Sequence, residues 1–344
     1  MLKYFIPINS HESRIYNENP NTHGLCIHDG HSSMPLKSDI IIFGDDPLLS
    51  AAFREKFYSL SFIAIPEFSI FDAGDFNTID PKEKAKLIWQ AIQNGSIPVV
   101  IGCQSDLMMQ LSNMAEQNME PHSLAFVSSH VDYGDHDFIK NDFLKEINHI
   151  GYQRHLLPAQ APKNHKISFL GEFRMQMPKV DAFTRSSDFT FFDLNAIRFS
   201  DSPGNIFKNP SGFSSEEACK LSRMIGSGDR TRCLFISEWD AENDIHDLTS
   251  FLTGQIVWYF SEGVQLNQTD KFPDREKLTQ YLVPLKDSDL ELIFYKSESS
   301  GKWWLKEPYV EDEFTGRLVP CTYEEYRQCV MEHIPDRILS LIYN

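Results

Sequence analysis

Phe126-Val127-Ser128-Ser129-His130-Val131-Asp132 and Phe191-Phe192-Asp193-Leu194-Asn195 are two apolar runs that each end in polar residues spaced two apart. In an extended strand, residues i, i+2 and i+4 project to the same face. Ser128, His130 and Asp132 therefore point one way from the end of one strand, and Asp193 and Asn195 do the same from another. Imidazole and carboxylate groups at this spacing are the chemistry of a divalent-metal site. A hydroxyl and an amide stand among them.

Working outward, short apolar runs alternate with helical patterns along most of the chain. The strands expected are Asp39–Phe43, Ile97–Ile101, Leu124–Ser128, Ile167–Leu170, Phe189–Leu194 and Cys233–Ser237. They are rich in Ile, Val, Leu and Phe without strict alternation, as in a parallel sheet buried on both faces. Between them, Pro81–Asn94 carries Ile88, Ala91 and Ile92 on one face, with Asp80 as N-cap and Pro81 in the first turn. Asp106–Gln117, Ser214–Ile225 and Ile245–Phe260 complete the helical set. Strand–helix alternation of this kind predicts a three-layer α/β/α fold with a mainly parallel sheet and right-handed crossovers. In such folds the working groups lie beyond the carboxyl ends of the strands. Cys103, Ser128–Asp132, Asp193–Asn195 and Glu238 all fall there.

The ends of the chain read differently. Asn9–Ser38, rich in Asn, His, Ser, Gly and Pro, is expected to be irregular. Leu290–Lys296 and Lys302–Lys306 flank Ser297-Glu298-Ser299-Ser300-Gly301 and predict a hairpin, with Trp303 and Trp304 on its second strand. A helical pattern runs from Tyr323 to Tyr343. The 344 residues carry a formal net charge of -17, which repels phosphate backbones and anionic bilayers, so neither nucleic acid nor membrane is an expected partner. No apolar run has the length of a membrane span, and the N-terminus lacks the apolar core of a signal peptide. Six cysteines without CxxC spacing read as reduced thiols, and the cytoplasm is the expected location.

The order of these blocks resembles the arginase and ureohydrolase superfamily, and within it the formimidoylglutamase-like members. The resemblance runs from about Asp39 to about Phe260. It rests on Phe71-Asp72-Ala73-Gly74-Asp75, on Val99-Val100-Ile101-Gly102, on the two strand ends above, on Arg198-Phe199-Ser200-Asp201-Ser202-Pro203-Gly204, and on Glu238 followed by Asp244 and Thr249. It implies an arginase-type domain over 39–265, preceded by an irregular segment over 1–38. A C-terminal hairpin and helix over 266–344 would pack on the same domain. It also implies two manganese ions that activate a bridging water to attack a guanidinium or formimino carbon, hydrolysing a C–N bond other than a peptide bond.

Half of the implied ligand set is replaced. Gly102-Cys103-Gln104-Ser105-Asp106 places Ser105 where the family's first histidine belongs. Ser128 replaces a carboxylate shared by both metals, and Asn195 replaces the partner of Asp193. His130, Asp132 and Asp193 remain as metal ligands. Glu238 is similar in placement to the carboxylate that contacts the guanidino group and is the candidate catalytic residue.

The leading expectation is an impaired or repurposed family member that binds a small cationic ligand or a protein partner, itself included. It would hold no metal, or one weakly bound divalent ion such as Mn²⁺. The alternatives are a single-metal hydrolase of guanidino or formimino bonds, and a structural subunit that docks through the Trp303–Trp304 hairpin. Cys103 beside His130 would be a nucleophile in a metal-free reaction; against this stands a small buried residue at a strand–helix junction. Asp106 either rotates into the site or caps its helix. His28 and His31 read as a solvated loop, and His136 as part of an acidic turn.

Overall fold

The computed structural model describes residues 2–31, 37–62, 68–130, 141–156, 165–175, 177–269, 278–285, 290–308 and 318–343. Asp132 and His136 lie outside the described residues.

The early chain is more ordered than its composition suggests. Strands β1 (Phe5–Ile6) and β2 (Leu25–Ile27) flank helix α1 (Ser10–Glu18). Asn9 caps α1 by accepting from His11 N and Glu12 N. The α/β body follows: β3 (Ile40–Gly44), α2 (Pro47–Phe57), β4 (Ile70–Phe76), α3 (Pro81–Gln93), β5 (Ile97–Ile101), α4 (Ser105–Gln117), β6 (His122–Val127), β7 (Leu144–Tyr152), β8 (His165–Phe169), α5 (Leu170–Met175), α6 (Met177–Arg185), β9 (Phe189–Asp193), α7 (Ser215–Gly226), β10 (Cys233–Ser237) and α8 (Leu248–Thr269). β4 and β7 were not among the expected strands.

The strands form one ten-stranded sheet among the described residues, in the order β1-β4-β3-β5-β10-β9-β6-β7-β8, with β2 also on β4. All pairings are parallel except that of β1 with β4. Period-2 alternation splits the apolar residues between two cores. Ile40, Ile42, Val99, Ile101, Leu234 and Ile236 pack under α2, α7 and α8. Ile41, Phe43, Val100, Cys233 and Phe235 pack under α3 and α4 on the other face. This is the three-layer α/β/α arrangement expected from the sequence.

One corner is held by charge. Arg54 of α2 is buried and binds Asp72 through Nε and Nη2 at 3.0 and 3.1 Å, and Asp75 through Nη1 at 2.7 Å. Tyr58 donates to Asp72 at 2.9 Å, and Glu12 of α1 lies 4.0 Å from Arg54. The Phe71–Asp75 block thus anchors the N-terminal segment to the sheet.

The last quarter is a separate antiparallel sheet of four strands, β11 (Leu278–Pro284), β12 (Glu291–Ser297), β13 (Trp303–Lys306) and β14 (Leu318–Cys321), covered by α9 (Tyr323–Val330) and α10 (Asp336–Tyr343). The expected hairpin is its centre. The expected single helix is two, because Glu332 takes a left-handed φ of 62° and Pro335 cannot continue a helix.

Candidate functional site

Four adjacent strands, β5, β10, β9 and β6, end level with one another. Ile236 pairs with Ile101 and Phe192, and Phe192 pairs with Val127. The next residue on each strand forms a row: Gly102, Ser237, Asp193 and Ser128. Gly102 has a φ of +78°, and a Cβ there would lie 2.9 Å from that of Asp46, so only glycine lets β5 turn into α4.

Ser128 Oγ donates to Asp193 Oδ2 at 2.8 Å, and Asn195 N donates to Asp193 Oδ1 at 2.7 Å. Asp193 is buried, and burial pushes its carboxyl up to about 7. The two donors pull it down, and the charge of Glu238 pushes it further up. Glu238 follows β10 with a left-handed φ of 71°, a conformation that costs a non-glycine residue of order 1–3 kcal/mol. Burial raises its pKa and the nearby His130 lowers it. Ser128, Asp193, Glu238 and His130 therefore form one cluster.

Asn195 has another task. Its Oδ1 accepts from Phe207 N at 2.8 Å, which ties down the loop after β9. That loop lays the Phe207 ring on the His130 ring, with centroids 5.2 Å apart and planes within 16°. His130 Nδ1 lies 3.3 Å from Ser129 Oγ. Phe207 remains 47% exposed, which leaves an aromatic surface at the mouth of the cluster. Sequence reading missed Phe207. An aromatic set in a loop-forming stretch between Asn205 and Asn209-Pro210 was the available signal.

The remaining candidates separate. Ser105 opens α4, half-buried, and shares no hydrogen bond with the cluster among the described residues. Asp106 is exposed in the first turn of α4, where it complements the helix dipole rather than turning into the site. Cys103 is fully buried, and burial raises its thiol pKa well above the ordinary value, which removes the nucleophile reading. His28 is buried and donates its backbone N–H to Asp72 O, so it is not part of a solvated loop; His31 is exposed. Asp244 and Thr249 form a latch. Asp244 accepts from Thr249 N and Ser250 N at the start of α8, and Thr249 Oγ1 accepts from Gly204 N at 2.7 Å.

Trp303 and Trp304 are not exposed. Trp303 stacks on Tyr326, with centroids 4.8 Å apart. Trp304 donates Nε1–H to Asp229 at 2.8 Å under the Arg185 guanidinium. The hairpin is thus a contact to the α/β body, not a free docking surface.

The described donors at these positions are engaged with one another, and Asp132, which the resemblance implies as a further ligand, lies outside the described residues. Both oxygens of Asp193 already accept hydrogen bonds, Asn195 Oδ1 accepts from Phe207 N, and no group of three His, Cys, Asp or Glu side chains is placed to hold an ion among the described residues. No described helix is long and apolar enough to cross a membrane.

No protein-family model matches the chain, and no curated protein matches it in sequence. Solved structures match its shape. A formiminoglutamase from Trypanosoma cruzi, crystallised with Mn²⁺ at pH 8.5, superposes with a TM-score of 0.58 at 20% identity over 68% of this chain and 96% of that one. The formimidoylglutamase of Bacillus subtilis gives 0.56 at 15% identity, over 68% and 89%. A hypothetical agmatinase from Burkholderia thailandensis gives 0.55 at 14%, over 74% and 97%. These likenesses show the fold: the chain has the arginase-type architecture that the order of its sequence blocks resembles, with about a third of its length beyond the shared part.

Proposed function

We propose that this is an arginase-fold protein whose manganese centre has been replaced by a hydrogen-bonded polar cluster, and that its cleft binds a small cationic ligand without hydrolysing it. The carrying observation is the Ser128–Asp193 hydrogen bond, which satisfies with a hydroxyl the carboxylate that a metal would otherwise hold. Two carboxylates, Asp193 and Glu238, face the cluster, and the exposed Phe207 ring offers a π-face for a guanidinium or ammonium group. The similar formiminoglutamase was crystallised with Mn²⁺; this chain has serine, serine and asparagine at Ser105, Ser128 and Asn195, where the resemblance implies charged or imidazole ligands.

The test is metal content by elemental analysis, before and after dialysis against Mn²⁺, with agmatine, arginine and formiminoglutamate hydrolysis assayed in parallel. The expected result is less than one tightly held ion per chain and no turnover. The combined variant Ser105→His, Ser128→Asp, Asn195→Asp gains Mn²⁺ binding. Agmatine binds the unmodified protein and is released by Glu238→Gln. Two ions per chain with turnover abolished by Asp193→Ala would overturn the reading.

A further inference from the structure

A cavity of about 460 Å³ lies at the amino-terminal ends of the parallel strands, opposite the polar cluster, where the C-terminal sheet and α10 meet the α/β body. Its size is within the range of small-ligand pockets. Four cationic side chains from four parts of the chain line it: Lys145 of β7, Lys166 of β8, Arg230 ahead of β10, and Arg337 of α10. In a chain of net charge -17, such convergence runs against the composition.

The two arginines are held from behind. Arg337 gives Nε and Nη2 to Glu325 at 2.7 and 2.8 Å, and Nη2 also reaches Pro320 O. Arg230 gives Nε and Nη2 to Asp188. In each, Nη1 makes no hydrogen bond among the described residues. Glu325 and Asp188 do not line the cavity, so they fix the guanidinium planes without filling the space in front of them. Of the lining carboxylates, Glu146 is already bound by Lys166, Asn148 and Ser186. Glu307 also lines the cavity.

We propose that this cavity binds a compact organic or inorganic anion, a carboxylate or a phosphate, through the Nη1 groups of Arg230 and Arg337. Planar guanidinium groups fixed by second partners are suited to oxyanions, because their orientation is set before the ligand arrives. The attraction between the guanidinium groups and an anion is one that salt would screen. The site is independent of the polar cluster and couples the C-terminal sheet to the body.

Isothermal titration of the full chain with inorganic phosphate and, separately, with succinate tests it. Saturable one-to-one binding of at least one is expected, and the tighter of the two assigns the anion class. Ser340→Glu places a carboxylate on the cavity wall; it gives up the hydrogen bond of Ser340 Oγ to Arg337 O but leaves both guanidinium groups with their partners, and Ser340 is exposed, so the fold is not at risk. It should weaken binding about tenfold or more. Lys166→Gln should weaken it less, and added salt should weaken it in every form. Absence of binding of both anions at millimolar concentration, or unchanged affinity in a folded Ser340→Glu protein, would overturn the proposal.

Discussion

Ser128 Oγ lies 2.8 Å from Asp193 Oδ2, a hydrogen bond from the end of β6 to the end of β9. Parallel pairing of Val127 with Phe192 puts the two residues level, so the contact follows from register alone. Two acidic residues at these positions would repel unless a cation stood between them. A serine and an aspartate attract directly.

That relationship predicts the effect of reversing it. Ser128→Asp removes a donor and sets a second carboxylate beside the first, and each raises the other's pKa. The variant should be less stable by about 1–3 kcal/mol at neutral pH. The deficit should shrink on acidification, as one shared proton restores a donor. Urea denaturation of both proteins at several pH values measures it.

Asp193 also predicts a pH dependence. Its pKa is pushed up to about 7 from an ordinary 3.8. Between these values the folded chain keeps a proton that the unfolded chain has released. Its contribution is therefore fully present below about pH 4 and is lost as pH rises through about 7, an excursion of about 4 kcal/mol at most. Asp193→Asn should flatten the stability profile over this window and be the more stable protein above it.

Arg54 stands between Asp72, Asp75 and Glu12 in a buried corner. Arg54→Met leaves those carboxylates without their cation and should cost about 3–5 kcal/mol. Arg54→Lys should recover only part, since an ammonium cannot make the two-pronged contact to Asp72. Chemical denaturation of the three proteins checks the order.

Trp304 links the C-terminal sheet to the body through Asp229 and Arg185. Trp304→Ala should cost about 3–5 kcal/mol. Asp229→Asn should cost less while shifting the tryptophan emission, because the indole N–H loses a charged acceptor. Fluorescence spectra and thermal melts separate the two effects.

Cys26 is the exposed cysteine, and the other five are buried. Iodoacetamide should modify Cys26 alone in the native protein, with Cys103 protected until denaturant is added. Intact-mass analysis with peptide mapping reads this directly. Rapid native labelling of Cys103 would reopen a nucleophilic role.

Most of the sheet strands between Ile40 and Ser237 were legible because doubly buried strands carry few polar residues to confuse the pattern; β7 escaped because Lys145, Glu146, Asn148 and His149 break its apolar run. β4 escaped because Asp72 and Asp75 interrupt it. Their charges are answered by Arg54 from a helix some twenty residues upstream, which no local window contains. The helix break near Glu332 escaped because the apolar pattern continues through Pro335. Helix α1 escaped because its face is mostly polar and its stability comes from the Asn9 cap and the buried Glu12.

Sequence by itself determined the layered α/β architecture and the strand ends that carry the polar residues. Those are properties of residue type and short-range spacing. Tertiary structure decided what the side chains at those strand ends do. It bonded Ser128 to Asp193, turned Asn195 toward Phe207, and stacked that ring on His130. It also buried Cys103 and both tryptophans. Each of these outcomes depends on groups brought together from distant parts of the chain, and distance in space is what a linear pattern does not contain.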